Sequence, residues 1–243
     1  MNSKADLSEL RVAVTGGTSG LGLALVRGLR ARGARVALVA RTGAAVERAA
    51  ADTGTCGIVG DVGRKDDIYP IALQITGRLG GLDVLINNAS SLGPVPLAPL
   101  GDTDCEDLEQ ALAVNLVGPF RLTKALLGAL AASARAGRGA VVLNVSSDAA
   151  VNAYAGCGAY GASKAALRHL GAIWNEELAG EGVRFLSIDP GDMDTPLHAL
   201  AVPDADRATL KQPDASAEEL IAALVAALPS DRANEVRGAA VLS

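Results

Sequence analysis

Short apolar runs alternate along the chain with longer segments in which apolar residues recur at helical spacing. The runs are rich in β-branched residues and leucine, and they predict seven strands, at 11–15, 35–40, 57–60, 82–86, 140–145, 184–188 and 236–242. Strands that are apolar almost throughout are typical of parallel sheets covered on both faces. The alternation therefore predicts one doubly wound α/β domain over residues 1–243, with a seven-stranded, mainly parallel sheet and helices on both faces.

Helical periodicity fills the intervals between the strands. It predicts helices at 21–32, 66–79, 104–134, 160–179 and 217–228. Asp66 and Asp67 would stand in the first turn of their helix, where the helix dipole favours anions. Ser216 and Glu219 have the spacing of a capping box at the start of the last helix.

Two proline-containing segments interrupt this pattern, at 90–104 and 192–213. Both follow predicted strands and should lie at the carboxyl edge of the sheet, where open α/β sheets bind ligands. Loops of this length are usually functional or disordered. We therefore interpret both as pocket walls, with 192–213 as a substrate loop or lid. An ordinary surface loop is the alternative for each.

Composition and charge exclude several classes of protein. With 49% hydrophobic and 20% charged residues among 243, the chain is globular, and its net charge of −5 disfavours a nucleic-acid partner. Three widely spaced cysteines indicate neither a disulfide framework nor a metal site. No apolar run reaches the length of about 18 residues that spans a membrane, and the first ten residues lack the apolar stretch of a signal peptide. We therefore expect a cytoplasmic protein with no membrane partner.

A glycine-rich turn connects the first predicted strand to the first predicted helix. It contains Gly16, Thr18, Ser19, Gly20, Leu21 and Gly22 within the sequence TGGTSGLG. Unpaired backbone N–H groups and the helix dipole make such a helix start an anion site, and glycines let a phosphate come close. The turn therefore predicts binding of a dinucleotide by a Rossmann-type fold. A glycine-rich turn without a ligand is the alternative.

The end of the second predicted strand indicates which dinucleotide is bound. A carboxylate at this point hydrogen-bonds the adenosine ribose of NAD(H), whereas an arginine accommodates the 2′-phosphate of NADP(H). This chain has Ala40 followed by Arg41, which favours NADP(H). A surface arginine that closes the strand is the alternative.

Tyr160 and Lys164 form a candidate catalytic pair. Four residues apart on a helix, they share one face, and the scarcity of tyrosine and lysine in this chain makes a chance pair improbable. A nearby ammonium, together with an oxidised nicotinamide, would lower the pKa of the phenol and make it a usable acid and base. The alternative is a buried tyrosine with its lysine in solvent. Tyr154 has no such lysine, and we interpret it as pocket wall or surface.

In their order along the chain, these motifs resemble those of the short-chain dehydrogenase/reductase family. The resemblance covers nearly the whole chain and includes Asp61-Val62, Asn87-Asn88-Ala89, Asn115, Ser147, Tyr160 with Lys164, and Pro190-Gly191 with Thr195. It implies that Tyr160 exchanges a proton with the substrate oxygen, that Ser147 hydrogen-bonds that oxygen, and that Lys164 also holds the nicotinamide ribose. It implies further that Asn115 supports a proton relay through water.

The resemblance also implies the cofactor site and the activity. NADP(H) would contact Gly16, Thr18, Ser19, Gly20, Leu21, Gly22, Arg41, Asp61, Val62, Asn88, Ala89, Tyr160, Lys164, Pro190, Gly191 and Thr195. The expected activity is NADP(H)-dependent interconversion of a small, largely apolar carbonyl substrate and its alcohol, with no metal. A dinucleotide-sensing binding protein without turnover is the alternative.

Three details bear on substrate and assembly. Ser90 stands where the family commonly has glycine, and Asp192 where relatives often have an apolar residue. Segment 189–196 resembles that of sepiapterin-reductase-like members. The family resemblance implies a homo-oligomer, and the few residues after the seventh predicted strand leave a dimer open beside a tetramer.

Overall fold

The computed structural model describes residues 6–229. In that range six strands form one sheet with the order β3-β2-β1-β4-β5-β6, and every neighbouring pair is parallel. The strands are β1 Arg11–Thr15, β2 Arg35–Ala40, β3 Cys56–Val59, β4 Val84–Asn87, β5 Ala140–Val145 and β6 Val183–Ile188. The predicted α/β class is confirmed, but the described sheet has six strands instead of seven, since the predicted strand at 236–242 lies outside the described residues.

Eight α-helices accompany this sheet in the described range. They are α1 Gly20–Arg30, α2 Gly43–Thr53, α3 Lys65–Leu79, α4 Cys105–Leu112, α5 Gly118–Arg135, α6 Gly158–Leu178, α7 Pro196–Ala201 and α8 Pro213–Ala227. Sequence periodicity did not predict α2, because its buried side chains are only Val46 and Ala49. Among residues 6–229, no helix has both the length and the apolar character needed to cross a membrane.

Two predicted helices differ from those observed. The single helix expected at 104–134 is divided by a π-helical segment, Ala113–Val117, between α4 and α5. The capping box at Ser216 is wrong, because α8 already begins at Pro213 and the Ser216 hydroxyl donates instead to the Pro190 carbonyl, at 2.8 Å. Apolar periodicity reports which face of a helix is buried, and it does not distinguish a widened turn or an earlier start.

Each face of the sheet is covered by its own layer of helices. On one face, side chains of α1, α2 and α8 pack against β1, β2, β4 and β5 in one apolar cluster. On the other face, side chains of α3 and α5 pack against all six strands in a second cluster, with Trp174 of α6 against its edge. Burial on both faces explains why the strands read as continuous apolar runs.

A buried carboxylate holds together the amino edge of the sheet. Asp83 is fully buried just before β4 and pairs with Arg11, at 2.6 Å, and with Arg138, at 3.2 Å. Ser133 donates a further hydrogen bond to it. Burial raises the pKa of Asp83, but the hydrogen bonds from these partners outweigh it and lower the pKa from 3.8 to about 2. This cluster ties β1, β4 and the end of α5 together.

We expect Asp83→Asn to lower the free energy of unfolding by about 2 kcal/mol at neutral pH, because an amide cannot supply the charge that the two guanidinium groups surround. Since the folded pKa of Asp83 lies below its unfolded value, the stabilisation is present above about pH 4 and is lost as the pH falls toward 2. Urea unfolding of both proteins at pH 7 and pH 3 measures the effect. A stability difference that is the same at both pH values would contradict this account.

Candidate active site

The candidate site lies where the order of the sheet reverses. β1 and β4 are neighbours although β2 and β3 lie between them in sequence. Val14 pairs with Ile86 across these two strands, so both strands end at the same level of the carboxyl edge. A crevice at such a crossover is where open α/β sheets bind ligands.

A hydrogen-bond cluster fixes the segments that follow these two strands. The Thr15 hydroxyl accepts hydrogen bonds from the backbone N–H groups of Asn88 and Ala89, both at 3.0 Å, and donates to the Ile86 carbonyl at 3.3 Å. The Asn88 side chain donates to the Thr15 carbonyl, at 2.9 Å, and to that of Gly16, at 3.2 Å. The turn after β1 and the segment after β4 therefore form one unit.

The glycine-rich turn forms a cradle in which Gly16 and Gly22 leave no room for a side chain of their own. Gly16 and Gly20 have positive φ, at 67° and 48°. A Cβ at Gly16 would lie 2.9 Å from Ala89 Cα, and one at Gly22 would lie 2.1 Å from the Gly16 carbonyl oxygen. Glycine at both positions lets the turn pack closely and lead directly into α1, whose first backbone N–H groups form an anion site. The residues present fit a dinucleotide.

The segment after β6 reaches the same cradle. Pro190 and Gly191 follow the strand, and Gly191 has a φ of 75°. Thr195 begins α7 by accepting a hydrogen bond from the His198 backbone N–H, at 3.1 Å. A Cβ at Gly20 would lie 3.2 Å from Thr195 Cγ2. The structure thus brings Thr195 directly against the glycine-rich turn.

The other predicted cofactor residues differ in what they expose. Leu21 and Val62 are buried in the two apolar clusters, so only their backbone can face a cofactor. Asp61 follows β3 and accepts the Gly63 N–H at 2.9 Å. Exposed or half-buried positions at the same edge are Thr18 and Ser19 in the turn and Arg41 after β2.

Tyr160 and Lys164 lie on one face of α6, against the end of β5. Lys164 Nζ is 5.5 Å from the centre of the Tyr160 ring and donates to the Val145 carbonyl at 2.8 Å. The lysine is 2% exposed, and burial lowers its pKa to about 8. The predicted pairing of phenol and ammonium is therefore observed, and the lysine is not in solvent.

Ser147 joins this pair from the end of β5. It acts to lower the pKa of the Tyr160 phenol. Its oxygen accepts from the Ala149 N–H at 3.2 Å, and it donates to Asp148 Oδ1 at 3.1 Å. Tyr154 donates to Asp148 Oδ2 at 2.6 Å. Sequence reasoning missed Asp148, although its place directly after the predicted catalytic serine is a signal that could have found it.

Asn115 is buried in the π-helical segment and holds two other elements in place. Its side-chain oxygen accepts from the Ser91 N–H at 2.8 Å and from the Ser90 hydroxyl at 3.3 Å. Its amide donates to the Ser91 carbonyl at 2.7 Å and to the Ser163 hydroxyl at 2.9 Å. Ser163 in turn donates to the Tyr160 carbonyl at 2.6 Å. Asn115 therefore links the segment after β4 to the catalytic face of α6.

The surroundings of Tyr160 raise the pKa of its phenol. Burial raises it, the hydrogen bond with Ser147 acts in the opposite direction, and the charges of Asp189 and Asp148 add to the rise. The lowering expected from Lys164 together with an oxidised nicotinamide stays a prediction. Within residues 6–229, no three His, Cys, Asp or Glu side chains are grouped so that they could hold a metal ion.

The predicted lid, 192–213, contains α7 and is anchored at its base. Lys211 N donates to the Asp192 carbonyl at 3.2 Å, and Asp194 N donates to the Lys211 carbonyl at 2.9 Å. Arg207 adds an ion pair with Asp194, at 2.7 Å. The two ends of the segment are thus joined beside the cradle.

Known proteins show the same sequence pattern and fold. A family model described as short chain dehydrogenase matches residues 11–206. The chain is 35% identical over 240 residues to cis-4-hydroxycyclohexanecarboxylate dehydrogenase of Sinomonas cyclohexanicum, which covers 96% of this chain and 94% of that protein. Another curated relative is longer, and this chain spans 33% of it.

Solved structures agree with the family match. A short chain dehydrogenase from Burkholderia cenocepacia in complex with NADP superposes with a TM-score of 0.80 at 25% identity, covering 93% of each chain. A metagenomic short-chain oxidoreductase in complex with NADP has a TM-score of 0.74 at 30% identity, again covering 93% of each chain. With the fold, the crossover site and the family match in agreement, the chain belongs to the short-chain dehydrogenase/reductase family.

Proposed function

We propose that the protein is an NADP(H)-dependent oxidoreductase that interconverts a ketone and a secondary alcohol on a small, largely apolar substrate. The observation that carries this proposal is the cluster of Ser147, Tyr160 and Lys164 at the carboxyl edge, beside a glycine cradle that fits a dinucleotide. A half-buried phenol next to a buried ammonium is a proton-transfer site.

Each residue has a separate task in this proposal. NADP(H), held by the cradle, supplies or accepts the hydride. Tyr160 gives a proton to the carbonyl oxygen in reduction and takes one from the alcohol in oxidation. Ser147 hydrogen-bonds the same oxygen. Lys164, fixed by the Val145 carbonyl, places a positive charge near the phenol and would hold the ribose hydroxyls of the bound cofactor.

Asn115 contributes through the residues that it holds. Its side-chain hydrogen bonds to Ser91 and Ser163 support a role in fixing α6 against the segment after β4. The water relay that the family resemblance implies for Asn115 stays a prediction. The homo-oligomer, dimer or tetramer, also stays a prediction, and a mass measurement in solution checks it.

The substrate class is proposed from the relatives and from the pocket walls. Relatives include cis-4-hydroxycyclohexanecarboxylate dehydrogenase and 1-deoxy-11-beta-hydroxypentalenate dehydrogenase of Streptomyces arenae. Both names describe hydroxylated compounds. Small or apolar side chains follow Ser147 and occur in the lid: Ala149, Ala150, Val151, Met193, Leu197 and Leu200. A cyclic or aryl ketone fits such walls.

NADPH consumption over a panel of ketones and aldehydes tests the proposal. The panel should include cyclic ketones, aryl ketones and a pterin side-chain ketone, because the last tests the sepiapterin-reductase-like resemblance of segment 189–196. Tyr160→Phe is the matched control. Tight NADPH binding with no turnover of any carbonyl would favour the alternative, a dinucleotide-sensing binding protein.

We expect Arg41→Asp to reverse the preference for NADPH over NADH, with a change of about tenfold or more in the ratio of the two kcat/KM values. The exposed guanidinium is replaced by a carboxylate, which repels the 2′-phosphate and can accept a hydrogen bond from a ribose hydroxyl. Steady-state kinetics with both cofactors measures the ratio. Arg48→Asp, an equal charge change on the exposed surface of α2, is the control. An unchanged ratio for Arg41→Asp would remove Arg41 from the cofactor site.

A further inference from the structure

Asp148 receives hydrogen bonds from two hydroxyl groups at the entrance to the site. Ser147 Oγ lies 3.1 Å from one carboxylate oxygen, and the Tyr154 hydroxyl lies 2.6 Å from the other. The hydrogen bond from Tyr154 is the main cause that lowers the pKa of Asp148, so the group is ionised at neutral pH. An ionised carboxylate can only accept hydrogen bonds. Both hydroxyls must therefore be donors.

A serine hydroxyl has one proton, so its other contacts must be made by the oxygen acting as acceptor. The Ser147 oxygen accepts from the Ala149 N–H, at 3.2 Å. Ser147 lowers the pKa of Tyr160 only when it donates to the phenolate, and it cannot donate there while its proton points to Asp148. The carboxylate competes for the one proton that Ser147 could offer to a phenolate or to a carbonyl oxygen.

We propose that Asp148 is a positioning residue that holds the Ser147 hydroxyl as a hydrogen-bond acceptor toward Tyr160 and toward the substrate oxygen. For the substrate, this inference rests on the proposed alcohol–ketone function. An alcohol can donate its own proton to Ser147, whereas a ketone must draw the serine proton away from a carboxylate. Asp148 therefore favours binding of the alcohol over binding of the ketone.

The charged groups around Tyr160 provide a control variant that separates the charge of Asp148 from its hydrogen bond with Ser147. The phenol is faced by Asp189 after β6, by Asp148 after β5, and by Cys157 and Lys164 at the start of α6. Asp189 acts on Tyr160 through its charge, and its Oδ1 accepts the Gly191 N–H at 2.9 Å. Asp189→Asn thus removes one carboxylate charge near Tyr160 and leaves the bond from Ser147 to Asp148 in place.

A titration of tyrosinate absorbance tests the inference without any substrate. The chain has three tyrosines, and in a Tyr154→Phe background only Tyr69 and Tyr160 remain. Tyr69 is 77% exposed, far more than Tyr160, and serves as an internal reference. Adding Asp148→Asn should lower the Tyr160 midpoint by about one pH unit more than adding Asp189→Asn does, because a neutral amide oxygen holds the Ser147 proton less strongly than a carboxylate and lets Ser147 donate to the phenolate. Circular dichroism at each pH confirms that the protein stays folded.

Comparing the Tyr160 midpoints of Asp148→Asn and Asp189→Asn decides whether Asp148 acts through Ser147 or by charge alone. If Asp148→Asn lowers the Tyr160 midpoint no more than Asp189→Asn does, Asp148 acts by charge alone and the inference is overturned. If Asp148→Asn unfolds the protein, Asp148→Ser replaces it, since serine keeps a small polar side chain and cannot take the proton as a carboxylate does. The same midpoint comparison then applies.

Kinetics with a simple pair of substrates gives a second readout. With cyclohexanol and NADP, and with cyclohexanone and NADPH, Asp148→Asn should lower the ratio of the ketone KM to the alcohol KM by about 3- to 10-fold. Tyr154→Phe removes the donor to the other carboxylate oxygen and should leave that ratio within about twofold. Two KM values that move together would contradict the inference. A wild-type protein inactive on both compounds would count against the proposed function, and the titration would still test Asp148.

Discussion

Tyr160→Phe is expected to lower kcat/KM for the best carbonyl substrate by about 10³-fold, because the variant loses the group that transfers the proton while keeping the ring. The ring centre lies 5.5 Å from Lys164 Nζ, so removal of the whole ring would disturb more than the chemistry. Loss of the hydroxyl alone leaves these contacts in place. Stopped-flow measurement of NADPH oxidation at saturating substrate separates this loss from slow product release.

The control for Tyr160→Phe is cofactor affinity. NADPH binding, measured by fluorescence titration, should change by less than about threefold, since the phenol oxygen contributes at most one neutral hydrogen bond to the ribose. Residual activity within tenfold of wild type would show that another group supplies the proton. Tyr154, which is hydrogen-bonded to Asp148, would then be the next residue to replace.

Gly22→Ala has the second largest expected effect. A Cβ at this position would lie 2.1 Å from the Gly16 carbonyl oxygen and 2.5 Å from Asn88 Nδ2. The backbone of the turn cannot move without breaking the hydrogen bonds that join it to the segment after β4. We expect the free energy of unfolding to fall by about 3 kcal/mol and the affinity for NADPH to fall by about 100-fold.

Gly128→Ala is the matched control for this prediction. Gly128 lies on the exposed surface of α5, and a Cβ there would meet no atom within 4 Å. The same substitution should raise stability by about 0.5 to 1 kcal/mol, since alanine favours a helix over glycine. Thermal unfolding and calorimetric binding of NADPH measure both variants. Equal affinity for NADPH in Gly22→Ala and wild type would show that the turn is not the cofactor cradle.

Features that depend on a repeating pattern could be predicted from the sequence. The strands are apolar on both faces, so their positions along the chain were predicted to within two residues for those in the described range. Tyr160 and Lys164 share a helical face because of their spacing, and the structure places them together. No such pattern marks the point at which the predicted helix at 104–134 is divided. Asn115, in the widened turn, is hydrogen-bonded to Ser91 and Ser163, which are distant from it in sequence.

The electrostatics of the site could not be predicted for a related reason. The sequence predicted that Lys164 and an oxidised nicotinamide together lower the pKa of the phenol, and it gave no sign that burial and the charges of Asp189 and Asp148 act to raise it. These carboxylates come from segments about 40 residues apart in sequence, and their distance from the phenol depends on the sheet order. The position of Asp148 directly after Ser147 is a signal in the sequence, but its hydrogen bonds with Ser147 and Tyr154 are seen only in the structure.

The crossover between β1 and β4 has a consequence for the fate of the protein in a cell. In the proposed cofactor site, the chain before β4 supplies the cradle and Arg41, whereas the chain from β4 onward supplies Asn88, Tyr160 and Gly191. A dinucleotide that contacts both parts would stabilise the middle of the sheet. At a free concentration of 100 times its Kd, it would add about 2.7 kcal/mol to the free energy of unfolding. Chains that find no cofactor would be degraded sooner, so the amount of protein would follow the supply of the dinucleotide.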